Sequence, residues 1–184
     1  MSNLRNALVD LRKNIDDRVA QPPFLLITRE SIQLNRQADL WVDMGEFESA
    51  ISNPQSSITN LQSAIALFLG EFLEGFSLAD SPAFEQWVLA RREGLHRQAM
   101  RALFTLAEAQ EQKGDLEAAL PFARRQVELE PWHEPGQQQL MRLLALSGQR
   151  SAALVQYEAC RKALADELNV EPSADTKRLQ ESRA

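Results

Sequence analysis

The 184-residue chain carries a net charge of −6 and 44% apolar residues, which suits one good-sized domain or a domain with an appendage. Seven Gly, one Tyr and few β-branched runs argue against an all-β fold, and one cysteine, Cys160, cannot form an internal disulfide. The charged N-terminus has no apolar signal core and the longest apolar run, Ala64 to Leu69, is too short for a bilayer, so a cytoplasmic chain without membrane partners is expected.

The charge is uneven along the chain. Residues 1 to 36 hold six Lys or Arg against four Asp or Glu, whereas residues 37 to 90 hold eight acids and no base. A front end that touches nucleic acid, followed by an acidic body that does not, has this pattern, and so does an ordinary acidic protein.

In chain order, the first element is a helix from Asn3 to Ile15. Leu4, Leu8, Leu11 and Ile15 share one stripe, with Ala7 at its edge. The other face shows Arg5, Asn6, Val9, Arg12 and Lys13. Arg binds guanine edges or phosphates, Asn reads adenine and Lys neutralises phosphate, so this face has major-groove chemistry, although many surface helices carry Arg and Lys. Pro22-Pro23 stop the helix. The run Phe24 to Thr28, polar Arg29-Glu30-Ser31, and Ile32-Gln33-Leu34 then predict a β-hairpin. Helix, loop and hairpin is the order in which a winged helix presents its recognition helix and wing. Arg29 falls at the wing tip, near the DNA backbone, or is a solvated turn cation.

Beyond Asn35 helices are expected to the end. Asp43 with Glu46 resembles a capping box, opening a short helix through Phe47 and Ile51 that stops before Pro54. Ile58, Leu61, Ile65, Phe68 and Phe72 predict a helix ended by Gly75. Ser81-Pro82, a capping hydroxyl followed by a first-turn proline, starts a helix of about 30 residues, roughly 45 Å long, with a bend or break allowed at Gly94. Asp115 caps the next helix, which ends at Glu130-Pro131 and is expected to kink at Pro121 or to start later. Helices near 135–147, 149–168 and 174–182 follow.

The second half repeats at a spacing of 34 residues. Leu106 falls on Leu140, Gly114 on Gly148, Ala119 on Ala153 and Leu120 on Leu154. That is the tetratricopeptide register: helix, turn at Gly, second helix with a small Ala where the pair closes, and a break near Pro131. A single such hairpin cannot bury its apolar face, so neighbours stack and leave a surface suited to a protein partner.

Catalytic and ligand-binding signals are thin. His96 and His133 have no Cys partners at metal spacing, and there is no glycine-rich phosphate loop, so no metal, cofactor or enzymatic role is expected. Cys160 reads as a buried structural thiol. Trp41, Trp87 and Trp132 read as core or inter-helix anchors, and the acidic pairs Asp16-Asp17 and Asp166-Glu167 as solvated helix ends.

Glu85-Gln86-Trp87 through Arg91-Arg92-Glu93, Gly114-Asp115 with Ala118-Ala119-Leu120, Leu129-Glu130-Pro131-Trp132, and Leu143 through Leu154 carry a resemblance, continued by Tyr157, Cys160-Arg161, Leu164, Glu167-Leu168 and Val170-Glu171-Pro172-Ser173. From about residue 37 to 184 the chain resembles the bacterial transcriptional activator domain of Streptomyces antibiotic regulatory protein type regulators. The resemblance implies a mainly α, tetratricopeptide-like helical bundle placed after an OmpR-like winged helix. Residues 2 to 36 resemble the end of such a winged helix, through Leu4-Arg5-Asn6-Ala7-Leu8, Leu11-Arg12-Lys13 and the hairpin.

The expected organisation is a partial winged helix over 1–36 and an activator domain over 37–184. The expected function is a bacterial transcriptional regulator or a fragment of one. DNA is met through Arg5, Asn6, Val9, Arg12, Lys13 and Arg29. The helical repeats serve self-association or a protein partner, RNA polymerase among them. The alternative is a protein-binding scaffold that does not touch DNA. A complete winged helix needs an N-terminal sheet and two more helices before the recognition helix, so the stripe of Leu4, Leu8, Leu11 and Ile15 lacks its usual packing. Leaving each in water forgoes roughly 1.5 to 3 kcal/mol. Either this end frays, or the stripe docks on the helical domain or another chain, or the chain is a piece of a longer regulator.

Overall fold

A computed structural model describes residues 2–52 and 57–181. The chain divides into two compact units, Met1–Glu46 and Phe47–Ala184. Its elements are mainly helical, with one small antiparallel hairpin near the N-terminus, as the composition and periodicity predict.

In the first unit, α1 (Ser2–Asn14) is followed by β1 (Leu25–Ile27) and β2 (Ile32–Leu34). The register pairs Leu25 with Leu34, Leu26 with Gln33 and Ile27 with Ile32. Helix α1 ends in a Schellman turn: Asp16 takes a left-handed φ of 53°, its N–H bonds Lys13 O, and Asp17 N–H bonds Arg12 O. A short polar side chain tolerates that φ better than most. The base of the hairpin is closed by Asn35, whose N–H bonds Phe24 O and whose side-chain amide donates to Pro23 O at 2.7 Å.

Helix α2 (Asp43–Ser52) runs across the division between the units. Asp43 is its first residue rather than a flanking cap, and its carboxylate accepts from the N–H of Met44, so the expected capping box is not the device that opens it. Pro54, expected to end it, lies outside the described residues.

The second unit continues with α3 (Ile58–Leu67), α4 (Pro82–Gln112), α5 (Leu116–Leu129), α6 (Glu134–Leu146), α7 (Arg150–Leu168) and α8 (Ala174–Glu181). Helix α3 stops eight residues before Gly75. Phe68 leaves the helix, yet its ring still packs on Phe47 at 5.6 Å and on His96 at 6.5 Å. Arg92 of α4 then donates to the carbonyls of Phe72 and Leu73, both at 2.7 Å. The apolar spacing of Phe68 and Phe72 therefore reflects packing along a folded-back segment, whose free carbonyls are satisfied by an arginine instead of a helical ladder.

Helix α4 spans 31 residues unbroken through Gly94. Ser81 makes no side-chain cap bond; the N–H of Glu85 bonds its carbonyl instead. Asp115 does cap α5, accepting from the Ala118 N–H at 3.0 Å, and Pro121 lies inside that helix, which starts no later for it.

The 34-residue repeat has a backbone cause. Gly114 and Gly148 have φ of 79° and 80°. Each closes a Schellman turn with bonds at matching positions: Gly114 to Glu111 O and Asp115 to Gln110 O, then Gly148 to Ala145 O and Gln149 to Leu144 O. The sharp reversal at each glycine turns one helix back on the next. Ala107, Ala119, Ala123 and Ala153 then let the pairs approach around Leu120, Leu140, Leu143 and Leu144.

Polar side chains also hold these helices. Gln126 of α5 donates to Gln139 of α6 at 2.7 Å, and Gln139 donates to Phe104 O of α4 at 3.2 Å. Arg142 grips Glu111 through two bonds of 2.9 and 2.7 Å. At the far end Glu134 accepts from the Ser173 N–H at 2.9 Å, from the Ser173 hydroxyl at 2.8 Å and from Thr176, clamping the start of α8 to the start of α6. Ser182, the expected end of the last helix, lies outside the described residues.

The tryptophans are not core residues. Trp41 is 67% exposed and Trp87 48%, and Trp132 is about one-third exposed. Trp87 is an inter-element anchor in part, since it packs on Phe72 and Phe84.

Candidate nucleic-acid interface

The six candidate residues occupy α1 and the hairpin turn. Arg5, Asn6 and Lys13 are exposed, as is Val9, and Leu4 beside Arg5 is 68% exposed. Within the stripe Leu8 and Ile15 are half-buried, but Leu11 stays exposed.

Arg29 sits on a turn that its neighbours fix. Thr28 N–H bonds Ser31 O at 2.9 Å, and the Thr28 hydroxyl accepts from the N–H groups of Glu30 and Ser31 at 3.2 and 2.9 Å. This turn, built by a hydroxyl two and three residues upstream, leaves the Arg29 side chain in solvent.

An open cleft of about 1000 Å³ lies between α1 and the turn. Arg5, Asn6 and Arg29 line it with Leu4, Leu8 and Ile27, and Glu30 contributes one acid. Three of the six candidates thus share one concave surface with a net positive lining. Val9, Arg12 and Lys13 do not line it.

Arg12 has a different partner. Its Nε bonds Asp17 at 2.6 Å, and the second oxygen of Asp17 accepts from the Leu25 N–H at 2.8 Å. Asp17 is 1% exposed, so one member of the pair read as solvated is buried at the junction of helix and hairpin. Burial alone raises its pKa, but the bonds from Leu25 and Arg12 and the positive charge of Arg12 outweigh that and hold it below the ordinary 3.8. The Schellman turn at Asp16 brings Asp17 back beside Arg12, a reversal that residue type alone does not announce because position 16 is not a glycine.

Cys160 in the second unit is fully buried, and burial with the nearby charge of Glu134 pushes its thiol up to about 11. Among the described residues no group of three His, Cys, Asp or Glu side chains has metal-binding geometry, and no helix is long and apolar enough to cross a membrane.

The model of one family, the bacterial transcriptional activator domain, matches residues 34–182. The chain belongs to that family. No curated protein matches it. The bacterial transcriptional activator domain takes in the last residue of β2 and every helix from α2 to α8. All six candidate DNA-contact residues lie before it. What the family match carries is therefore the transcriptional character of the helical body, and the cleft between α1 and the hairpin rests on its own geometry.

Proposed function

We propose that the chain is a bacterial transcriptional regulator, or a fragment of one, whose front end, residues 1–36, corresponds to the recognition helix and wing of an OmpR-like winged helix. Helix α1 and the hairpin turn contact DNA, and the helical repeats over 37–184 make the protein contacts, by self-association or with RNA polymerase. One observation supports the DNA half above the others: Arg5, Asn6 and Arg29 converge on one cleft between the helix and the turn.

Roles divide by chemistry. Arg5 and Arg29 neutralise phosphates or bind a guanine edge, Asn6 reads adenine, Val9 offers apolar contact to a thymine methyl, and Lys13 meets the backbone. Arg12 serves chiefly to hold the hairpin against α1 through Asp17. With Arg5, Lys13 and Arg29 each displacing counterions at about −0.9 per phosphate, the affinity for duplex DNA falls with a log-log salt slope of about −2.7.

A second reading, a protein-binding scaffold that does not touch DNA, is favoured by the apolar exposure of Leu4 and Leu11 beside the candidate cations. A fluorescence-anisotropy titration with mixed-sequence duplex across a salt series decides between them. A slope near −2.7 supports the DNA reading; no affinity at low salt leaves the scaffold.

A further inference from the structure

The segment that follows α3 and the first turns of α4 carry a surface feature that the DNA cleft does not use. Four rings run in contact from one to the next. Phe72 meets Trp87 at 5.5 Å, Trp87 meets Phe84 at 5.7 Å, and Phe84 meets Phe76 at 5.9 Å. Despite this packing Phe76 is 50% exposed and Trp87 48%, with Leu73 and Leu78 exposed beside them. The patch is preformed. Arg92 holds the carbonyls of Phe72 and Leu73, and the Glu85 carboxylate accepts the Leu78 N–H, so the segment is tied to α4 from both sides.

Its rim is acidic. Glu71, Glu74 and Asp80 are exposed in the segment that carries Phe72 and Phe76, and residues 37 to 90 contain eight acids and no base. The first cations of α4, Arg91 and Arg92, are matched by acids: Arg91 lies 2.9 Å from Glu48 and Arg92 3.8 Å from Glu71. An exposed aromatic cluster rimmed by one sign of charge marks an interaction surface, and the sign selects the partner.

We infer that this face binds a cationic amphipathic segment of a partner protein, whose apolar side chains lie on Phe76, Leu78 and Trp87 and whose Lys or Arg residues reach Glu74 and Asp80. A guanidinium over the Trp87 ring adds a cation–π contact. The same rim repels nucleic acid and anionic lipid. It also disfavours a second copy of the chain docked patch to patch, since that sets acid against acid. The inference rests on the protein-contact half of the proposed function and is independent of its DNA half.

The test titrates the 15N-labelled full chain with an amphipathic Leu/Lys peptide of about 18 residues, five helical turns. A Leu/Glu peptide of the same length and a Lys/Gly peptide of the same charge serve as controls. The expected result is binding of the Leu/Lys peptide alone, with amide shifts concentrated over residues 71–92. Kd should weaken about tenfold in Trp87→Ala and in the paired surface variant Glu74→Lys/Asp80→Lys, which spares the ring contacts. Shifts over α5–α8 with Kd unchanged in both variants overturn this face while leaving the repeats as a protein-binding body. Equal binding of the Lys/Gly peptide overturns it as mere charge attraction. Absence of binding overturns the inference, and the duplex titration still judges the DNA reading separately.

Discussion

Asp17 shows how one buried carboxylate can join two elements. It accepts from Arg12 on α1 and from Leu25 at the start of β1, so the hairpin keeps its place against the helix through an ion and a peptide N–H. Because its folded pKa lies below the ordinary 3.8, its contribution is present above pH 3.8 and is lost as pH falls through the depressed value. Asp17→Asn therefore lowers the unfolding midpoint of the first unit at neutral pH and removes that part of its acid sensitivity, which circular dichroism across pH 2 to 7 reads out. In the second unit a comparable test falls on Gln139. Replacing it by Leu leaves the fully buried Gln126 amide without its acceptor, and a cost of about 1–3 kcal/mol in urea unfolding is expected. Replacing both glutamines by Leu should cost less than the single change. Cys160, with its thiol pushed up to about 11 and no exposure, should react with a thiol reagent at pH 8 only as fast as the second unit unfolds.

At the scale of elements, three glycines separate local from tertiary causes. Gly94 is inside α4 and a Cβ there meets nothing within 4 Å, so Gly94→Ala should stabilise by about 0.5–1 kcal/mol. Gly114 and Gly148 have equally open surroundings, yet their φ near 80° belongs to the left-handed region, so Ala at either position should cost about 1–2 kcal/mol. Thermal melts of the three variants test the contrast directly, because the side-chain space is the same and only the backbone differs. The same contrast explains what could be read in advance. The paired turns at Gly114 and Gly148, the Asp115 cap and the long α4 follow from local rules, and they were legible from residue type and spacing. The end of α3 was not, because Phe68 and Phe72 keep helical spacing although the helix stops at Leu67, and Arg92, 19 and 20 residues away, takes up the Leu73 and Phe72 carbonyls. Trp41, 67% exposed, is not in the core for a related reason: large apolar size argues for burial in general but not for what covers a particular ring. In the candidate interface, Arg5, Asn6 and Arg29 could be gathered by helix phase and turn position, whereas the engagement of Arg12 depended on the three-dimensional course of the chain after Asp16.

At the scale of the whole molecule, charge and fold divide the work. The small basic excess lies in residues 1 to 36, which meet the matched bacterial transcriptional activator domain only over 34–36, and the acidic stretch from 37 to 90 precedes the repeats. The helical body is built from local reversals plus a small-residue core, an arrangement that leaves its outer faces free for partners. Its end is held by the Glu134 clamp on Ser173 and Thr176. Burial raises the pKa of Glu134, but hydrogen bonds from Thr176 and Ser173 outweigh it and hold the group below 4.5, so the clamp is intact above that pH and loosens as pH falls through the depressed value. The central proposal is that the front unit reads DNA through α1 and the hairpin turn. Its most direct test is the salt slope of duplex binding in Arg5→Ala and Arg29→Ala compared with the parent chain. Each variant is predicted to make the slope shallower by about 0.9, one phosphate contact apiece. A measurable parent slope that neither substitution changes would place the DNA contact elsewhere and contradict the account.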